Sequence, residues 1–151
     1  MLRAELIPAR PGAQWTGIAT RLGERLLETG RVDAVLTVAA DPADRWRPVP
    51  VLVTRAEDMA QVRGMRMGYA PLLALLEPAR DRGYRRIAVI GIPCQVYALR
   101  ALEQELGFER IYVFGTPCSD STTTERFHPF LALLAPDPDA SIAFQAAQEL
   151  I

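Results

Sequence analysis

Apolar positions along the chain follow two alternating patterns, one with helical spacing and one in short unbroken runs. Helical spacing over residues 17–28 stops at Gly30, which predicts a helix ended by a glycine. The run 32–38 is rich in β-branched residues and predicts a buried strand. Residues 41–50 contain three prolines, so we expect an ordered loop there, followed by a shorter strand at 51–53.

The second half of the chain repeats one unit, a strand followed by a Gly-x-Pro-Cys turn and a helix. The strands are predicted at 86–90 and 111–114, with a helix between them, and two further helices are predicted at 57–63 and 71–79. Alternating strands and helices imply right-handed crossovers and a mainly parallel sheet with helices on both faces. The sequence therefore predicts a doubly wound α/β fold in a single domain.

The last part of the chain differs in character from this core. Residues 135–139 are rich in proline and aspartate and are typical of a linker, and 141–151 are compatible with a short helix. We therefore divide the chain into an α/β core, residues 1–134, and a divergent linker with a C-terminal stub, residues 135–151.

Composition excludes several classes of function. The formal net charge is −1 over 151 residues, which argues against binding to nucleic acid or anionic membranes. No apolar run reaches the roughly 18 residues that a membrane span needs, and no secretory signal is recognisable at the N-terminus. The sequence therefore predicts a soluble cytoplasmic protein.

Cys94 and Cys118, the two cysteines, are the most informative candidate residues. Each is predicted to follow a strand and begin a helix, at the edge where open parallel sheets bind ligands. If the strands are neighbours, both cysteines face one crevice as thiolates favoured by helix N-termini, and thiolates bind iron–sulfur clusters. Two alternatives remain open: both are buried small apolar residues, or they form a disulfide. A four-thiolate cluster would also need ligands from elsewhere.

A loop-to-helix junction near the N-terminus is a candidate phosphate site. Backbone N–H groups and hydroxyls there suit the pyrophosphate of a dinucleotide, with an indole ring available for stacking. The residues are Gln14, Trp15, Thr16, Gly17 and Thr20. The alternative is an ordinary helix start capped by Thr16. The chain contains neither G-x-G-x-x-G nor a P-loop motif, so no standard nucleotide fingerprint supports the site.

Two further features have weaker functional interpretations. Arg63 and Arg66 lie in a glycine-bounded loop that could cover an anionic cofactor, or could be a solvated turn. His128 is the one histidine of the chain, so hydrolase triads and zinc–histidine sites are poorly supported. We expect His128 to be a surface or helix-packing residue, with proton donation as the secondary interpretation.

Four motifs in a fixed order resemble the family of coenzyme F420 (deazaflavin) hydrogenase/dehydrogenase beta subunits. They are QWTGIAT at 14–20, DPADRWRP at 41–48, GIPCQ at 91–95 and GTPCSD at 115–120. Within that family the chain is most similar to the ferredoxin-dependent branch containing 3,8-divinyl chlorophyllide 8-vinyl reductase and 7-hydroxymethyl chlorophyll a reductase. Family members carry further cysteine segments on both sides of this core, so the resemblance implies a truncated chain.

The resemblance implies FAD and 4Fe-4S clusters as cofactors, reduced ferredoxin as electron donor and a tetrapyrrole as substrate. It assigns Cys94 and Cys118 to a cluster. It assigns flavin binding to the junction residues and to the first Gly-x-Pro-Cys turn. It also assigns flavin binding to Arg66, which stands where the wider family has a Ser-Lys-Tyr motif. The implied cofactor-binding residues are Gln14, Trp15, Thr16, Gly17, Thr20, Arg66, Gly91, Pro93 and Gln95.

Taken together, the sequence predicts a fragment of an iron–sulfur flavoprotein oxidoreductase that reduces a chlorophyllide vinyl group through FAD. One alternative is a reductase of the same family that acts on 7-hydroxymethyl chlorophyll or on a deazaflavin coenzyme. An alternative of another class is a non-catalytic α/β binding module. No catalytic residue is assigned by the sequence.

Overall fold

A four-stranded sheet organises the chain, whose computed structural model describes residues 17–64, 68–118 and 121–134. The strands are β1 (Ala34–Asp41), β2 (Asp44–Val53), β3 (Arg86–Gly91) and β4 (Arg110–Gly115), in the order β2-β1-β3-β4. β1 pairs in parallel with β3, and β3 with β4, whereas β2 is an antiparallel edge strand. The predicted α/β fold with a mainly parallel sheet is confirmed.

Helices cover both faces of this sheet. They are α1 (Ile18–Glu28), α2 (Leu76–Asp81), α3 (Pro93–Leu102) and α4 (Thr124–Leu134), together with 3-10 helices at Ala56–Val62 and Leu72–Leu75. Because strand residues alternate between faces, Leu36 and Val89 belong to a core with Leu72 and Leu99, under α2 and α3. On the opposite face, Val35 and Ala88 pack with residues of α1 and the first 3-10 helix.

The segment 41–50 differs from its prediction as a loop, because β2 already begins at Asp44. Asp41 and Asp44 each accept a hydrogen bond from the backbone N–H two residues ahead, at 2.9 and 3.1 Å, and so build a tight hairpin. Pro48 and Pro50 do not prevent strand formation, since prolines two residues apart present their nitrogens to the same side. On an edge strand that side can be the one without a neighbour.

The helical predictions between β2 and β3 are correct in position but not in type. The segment expected to be a helix over 57–63 is a 3-10 helix, Ala56–Val62. The helix expected from Pro71 divides into a 3-10 turn, Leu72–Leu75, and the short α2. Among the residues that the structure describes, no helix is long and apolar enough to cross a membrane.

Candidate functional site

The two Gly-x-Pro-Cys turns leave the sheet side by side. Gly91 and Gly115 are paired in register at the ends of β3 and β4. The backbone N–H of Thr116 donates to the carbonyl of Gly91 at 2.9 Å, and the Thr116 hydroxyl donates to the same oxygen at 3.3 Å. The turns are therefore hydrogen-bonded to each other at the carboxyl edge of the sheet, by which we mean the end where β1, β3 and β4 finish.

Both cysteines at this edge are exposed, and neither is disulfide-bonded. The structure thus contradicts two alternatives left open by the sequence, that they are buried apolar residues and that they form a disulfide. Exposure at the carboxyl ends of adjacent parallel strands is what a ligand-binding role requires.

The two cysteines differ in their relation to the following helix. Pro93 and Cys94 are the first two residues of α3, so Cys94 does lie at a helix N-terminus. Cys118 does not, because α4 begins only at Thr124, and that part of the prediction is wrong. The carbonyl of Thr123 accepts the N–H groups of Arg126 at 3.1 Å and Phe127 at 2.9 Å at the start of α4. Hydrogen bonds from the Glu125 backbone and from Thr123 lower the pKa of Glu125 in the first turn of the helix.

Gln95 lies beneath the first turn and is 7% exposed. Its Oε1 accepts a hydrogen bond from the backbone N–H of Ile92 at 3.2 Å, and its Nε2 donates to the carbonyl of Ala70 at 2.8 Å. Gly91 makes room for this amide, since a Cβ at Gly91 would stand 3.1 Å from Oε1 and 3.2 Å from Cδ2 of Leu72. Gln95 therefore joins the turn to the loop that precedes α2.

The start of α1 lies toward the same edge of the sheet but on its other face. α1 runs back to β1 through a short connection, so its N-terminus points to the carboxyl edge. Gly17 is the residue before the helix, with φ 69°, and its carbonyl accepts the N–H of Arg21 at 2.9 Å. Thr20 is buried one turn into the helix. The N-cap residue of α1 is therefore Gly17, whereas the alternative in the sequence analysis was a helix start capped by Thr16.

Several candidate residues lie outside the described part of the chain. They are Gln14, Trp15, Thr16 and Arg66. Of the predicted cofactor-binding set, the described residues divide between the first cysteine turn, with Gly91, Pro93 and Gln95, and the start of α1, with Gly17 and Thr20. The roles of all of these residues stay predictions.

Glu24, which the sequence analysis did not identify, is a buried carboxylate one helical turn after Thr20 and pairs with two arginines. Glu24 is 5% exposed and accepts hydrogen bonds from Arg21 at 3.0 Å and from Arg63 at 3.1 Å. The hydrogen bond to Glu24 is the main cause of a raised pKa at Arg21. The spacing of Arg21 and Glu24 signals a helix pair, but Arg63 is far away in the sequence and only the fold brings it close. Glu24 thus attaches α1 to the segment after the first 3-10 helix.

His128 is exposed on α4 and contacts the hairpin. Its Nε2 lies 3.1 Å from Oδ2 of Asp44, and the ring of Phe127 on the same helix packs on Trp46 with 5.8 Å between centroids. This agrees with the structural interpretation of His128 as a residue that packs α4 against a neighbouring element.

The two thiols at the carboxyl edge are the right type of ligand for an iron–sulfur cluster, but two are too few for a four-ligand cluster. Thiolate is the usual cluster ligand, and two cysteines reach this edge. Among residues 17–64, 68–118 and 121–134, no group of three or more His, Cys, Asp or Glu side chains comes together as a metal site. Other ligands would have to complete a four-ligand cluster.

Comparison with known proteins places these features in a family. Residues 1–77 match the family model for the N-terminal part of the coenzyme F420 hydrogenase/dehydrogenase beta subunit, and 84–148 match the model for its C-terminal part. Among curated proteins, the chain is 36% identical over 149 residues to 7-hydroxymethyl chlorophyll a reductase from Oryza sativa subsp. japonica. That alignment covers 99% of this chain and 32% of the reductase.

An archaeal relative and a solved structure extend the comparison. An F(420)H(2) dehydrogenase subunit of Methanosarcina mazei is 33% identical over 95 residues, 63% of this chain and 27% of that subunit. A chain of the F420-reducing [NiFe] hydrogenase complex from Methanosarcina barkeri superposes with a TM-score of 0.77 at 27% identity. The superposition covers 84% of this chain and 46% of the hydrogenase chain. The chain thus matches 32% of the length of the Oryza sativa reductase and 27% of that of the Methanosarcina mazei subunit.

Proposed function

Because this chain belongs to the family of coenzyme F420 hydrogenase/dehydrogenase beta subunits, we propose that it is the cofactor-binding core of an iron–sulfur flavoprotein oxidoreductase. The relatives named above are themselves a reductase, a dehydrogenase subunit and part of a hydrogenase complex, which supports an oxidoreductase family. The observation that carries the proposal is the pair of exposed cysteines on hydrogen-bonded turns at the carboxyl edge.

In this proposal Cys94 and Cys118 are thiolate ligands of a 4Fe-4S cluster, completed by ligands from outside this core. The start of α1 holds the pyrophosphate of FAD through Gly17 and Thr20, together with Gln14, Trp15, Thr16 and Arg66. The first cysteine turn, with Gly91, Pro93 and Gln95, lines the cofactor site between them. Bound flavin and cluster supply the electron transfer and hydride chemistry, while the chain binds and orients them.

We further propose a tetrapyrrole as substrate and reduced ferredoxin as electron donor. The match to a chlorophyll reductase over nearly the whole chain supports the tetrapyrrole, whereas the archaeal dehydrogenase subunit matches 63% of it. The vinyl group of a chlorophyllide is the substrate expected from the sequence resemblance. The name of the Oryza sativa relative favours the 7-hydroxymethyl group instead, so both are tested together.

A deazaflavin coenzyme is the second candidate substrate. It is favoured by the superposition on a chain of an F420-reducing hydrogenase complex. Anaerobic assays with reduced ferredoxin and the protein at its natural full length distinguish the candidates. Divinyl chlorophyllide, 7-hydroxymethyl chlorophyll a and F420 are offered in turn, and the tetrapyrrole proposal fails if F420 alone is turned over.

A flavin titration tests the core itself. We expect this chain to bind FAD and Thr20→Val to weaken binding about tenfold, the factor for one lost hydrogen bond of roughly 1.4 kcal/mol. Thr29→Val is the matched control, because Thr29 lies at the opposite end of α1 and its hydroxyl bonds to the Arg25 carbonyl. A chain that binds no flavin under these conditions would favour the non-catalytic module instead.

A further inference from the structure

The carboxyl edge contains a continuous polar connection from the loop before α2 to both cysteine turns. The carbonyl of Ala70 accepts from Gln95, the Gln95 amide oxygen accepts from Ile92, and the carbonyl of Gly91 accepts twice from Thr116. Three segments far apart in the sequence are joined in this way. The central member is the buried side chain of Gln95.

We propose that Gln95 is a positioning residue, which fixes the Cys94 turn at a set distance from the Cys118 turn. One of its two hydrogen bonds is made to the turn and the other to Ala70, in the loop before the 3-10 helix Leu72–Leu75. Oε1 holds the N–H of Ile92, just before the proline and cysteine, while Nε2 anchors the same amide to Ala70. Pro93 is the first residue of α3, where a missing N–H leaves no donor unsatisfied, and the N–H of Ile92 just before it is the one that Gln95 holds.

The packing around Gln95 makes this position well determined. The amide is buried, so losing a partner leaves a polar group without water, at a cost comparable to a hydrogen bond. Gly91 lies close to the amide, since a Cβ at Gly91 would be 3.1 Å from Oε1. The side chain therefore has little room to adopt another rotamer, and movement of Gln95 would carry the Cys94 turn with it.

The inference uses the proposed function only to name the ligand that the two thiols would share. Its experiment is carried out on the reduced chain without flavin or iron. A short bis-alkylating reagent, dibromobimane, measures the rate of Cys94-to-Cys118 cross-linking, and monobromobimane measures each thiol separately. If cross-linking behaves as expected while the full-length protein holds no iron, the cluster proposal fails and the positioning role stands.

We expect Gln95→Met, which removes both hydrogen bonds of the amide, to reduce cross-linking about fivefold relative to single alkylation, the factor expected for the lost neutral hydrogen bond to Ile92 that holds the turn. Gln95→Glu should respond to pH. As a carboxylate it repels the Ala70 carbonyl, whereas the protonated acid restores a donor and an acceptor, so cross-linking recovers as the pH falls. Gln104→Met and Gln104→Glu are matched controls at an exposed position after α3. Rates are compared with these controls at each pH.

The readout separates positioning from general stability. Measurements are made well below the melting temperature of each variant, with circular dichroism showing that it is folded. If Gln95→Met does not fold, the pH response of Gln95→Glu decides. Cross-linking in the Gln95 variants equal to that in the Gln104 controls would overturn the proposal, as would a wild-type chain whose two thiols cannot be bridged.

Discussion

The amino edge and the carboxyl edge of the sheet are held together in different ways, although the same three parallel strands begin at one and finish at the other. At the amino edge, where β1, β3 and β4 begin, the carboxylate of Asp33 accepts the backbone N–H groups of Arg85 and Arg86, each at 2.9 Å, and pairs with the Arg86 guanidinium. Burial acts to raise the pKa of Asp33, but the hydrogen bonds outweigh it and the pKa is lowered. An ionised group thus fastens the starts of β1 and β3 together.

At the carboxyl edge the polar contacts join loops, and the reactive groups remain exposed. Gln95, Ala70 and Thr116 tie the turns together, and both cysteines face the surface. Where the strands themselves are joined, the amino edge uses a charged pair between Asp33 and Arg86, and the two cysteine turns at the carboxyl edge use neutral hydrogen bonds. We therefore expect the Asp33 carboxylate to contribute more to the stability of the fold than the two exposed thiols do.

The largest effect is expected from removal of both thiols at the carboxyl edge. Cys94→Ser together with Cys118→Ser, made in the protein at its natural full length, should abolish the proposed iron–sulfur cluster, because a serine hydroxyl is a poor substitute for a thiolate. The free energy of unfolding of the isolated core should change by no more than about 0.5 kcal/mol, as for other exposed substitutions. Iron analysis and the visible spectrum measure the first effect, and urea denaturation the second.

The two single cysteine variants serve as controls for that experiment. Each should retain less iron than the unmodified protein, since each removes one ligand. Iron content unchanged in the double variant would eliminate the ligand role of both residues.

Asp33→Ala tests the amino edge in the opposite sense. It removes a carboxylate that holds two backbone N–H groups and a guanidinium, so we expect a loss of about 3 kcal/mol in the free energy of unfolding. The affinity of the folded Asp33→Ala variant for FAD, measured below its unfolding transition, should equal that of the wild-type chain. A drop in affinity of the folded variant, measured by flavin titration, would show that the edges are coupled.

The same carboxylate predicts a dependence of stability on pH. Because the pKa of Asp33 is lower in the folded chain than its ordinary value, its contribution is complete above the unfolded pKa of about 3.9. It is lost as the pH falls through the folded pKa. The free energy of unfolding, measured by urea denaturation at several acidic pH values, should therefore change less with pH for Asp33→Ala than for the wild-type chain.

Much of the fold could be predicted because each element has a local signal. The runs of β-branched residues at β1 and β3 and the helical spacing of α1 identify these elements from neighbouring positions alone. β2 could not be predicted in full, because prolines usually interrupt strands and its place at the sheet edge is a property of the whole fold. The 3-10 geometry at Ala56–Val62 likewise has no clear sequence signal.

The candidate site was predictable where a repeated motif marks it. The two Gly-x-Pro-Cys units indicated a shared edge, and the register of Gly91 with Gly115 agrees with that expectation. The contacts of Gln95 with Ala70 and of Glu24 with Arg63 join residues far apart in the sequence. Such pairs carry no periodic signal, so the sequence alone could not show what supports the site.

Substitution of Gly91 should have a smaller effect at the carboxyl edge. Gly91→Ala should cost about 2 kcal/mol, since the added Cβ would crowd Oε1 of Gln95 and Cδ2 of Leu72, and overpacking displaces neighbours. It should also slow cross-linking of Cys94 to Cys118, because the displaced amide holds the first turn. Urea denaturation and the dibromobimane rate measure the two effects. A destabilised variant with an unchanged rate would contradict the link between Gln95 and the thiols.

Gly107→Ala is the counterpart near the amino edge and should have the smallest effect. Gly107 has φ 72°, and a Cβ there would meet no atom within 4 Å, so the cost is backbone strain alone, about 1 kcal/mol. Because this strain arises in the connection between α3 and β4, far from the turns, cross-linking and FAD affinity should equal those of the wild-type chain. A slower cross-linking rate in Gly107→Ala would mean that a loss of stability elsewhere in the fold is enough to slow cross-linking of Cys94 to Cys118. The two edges would then not be independent.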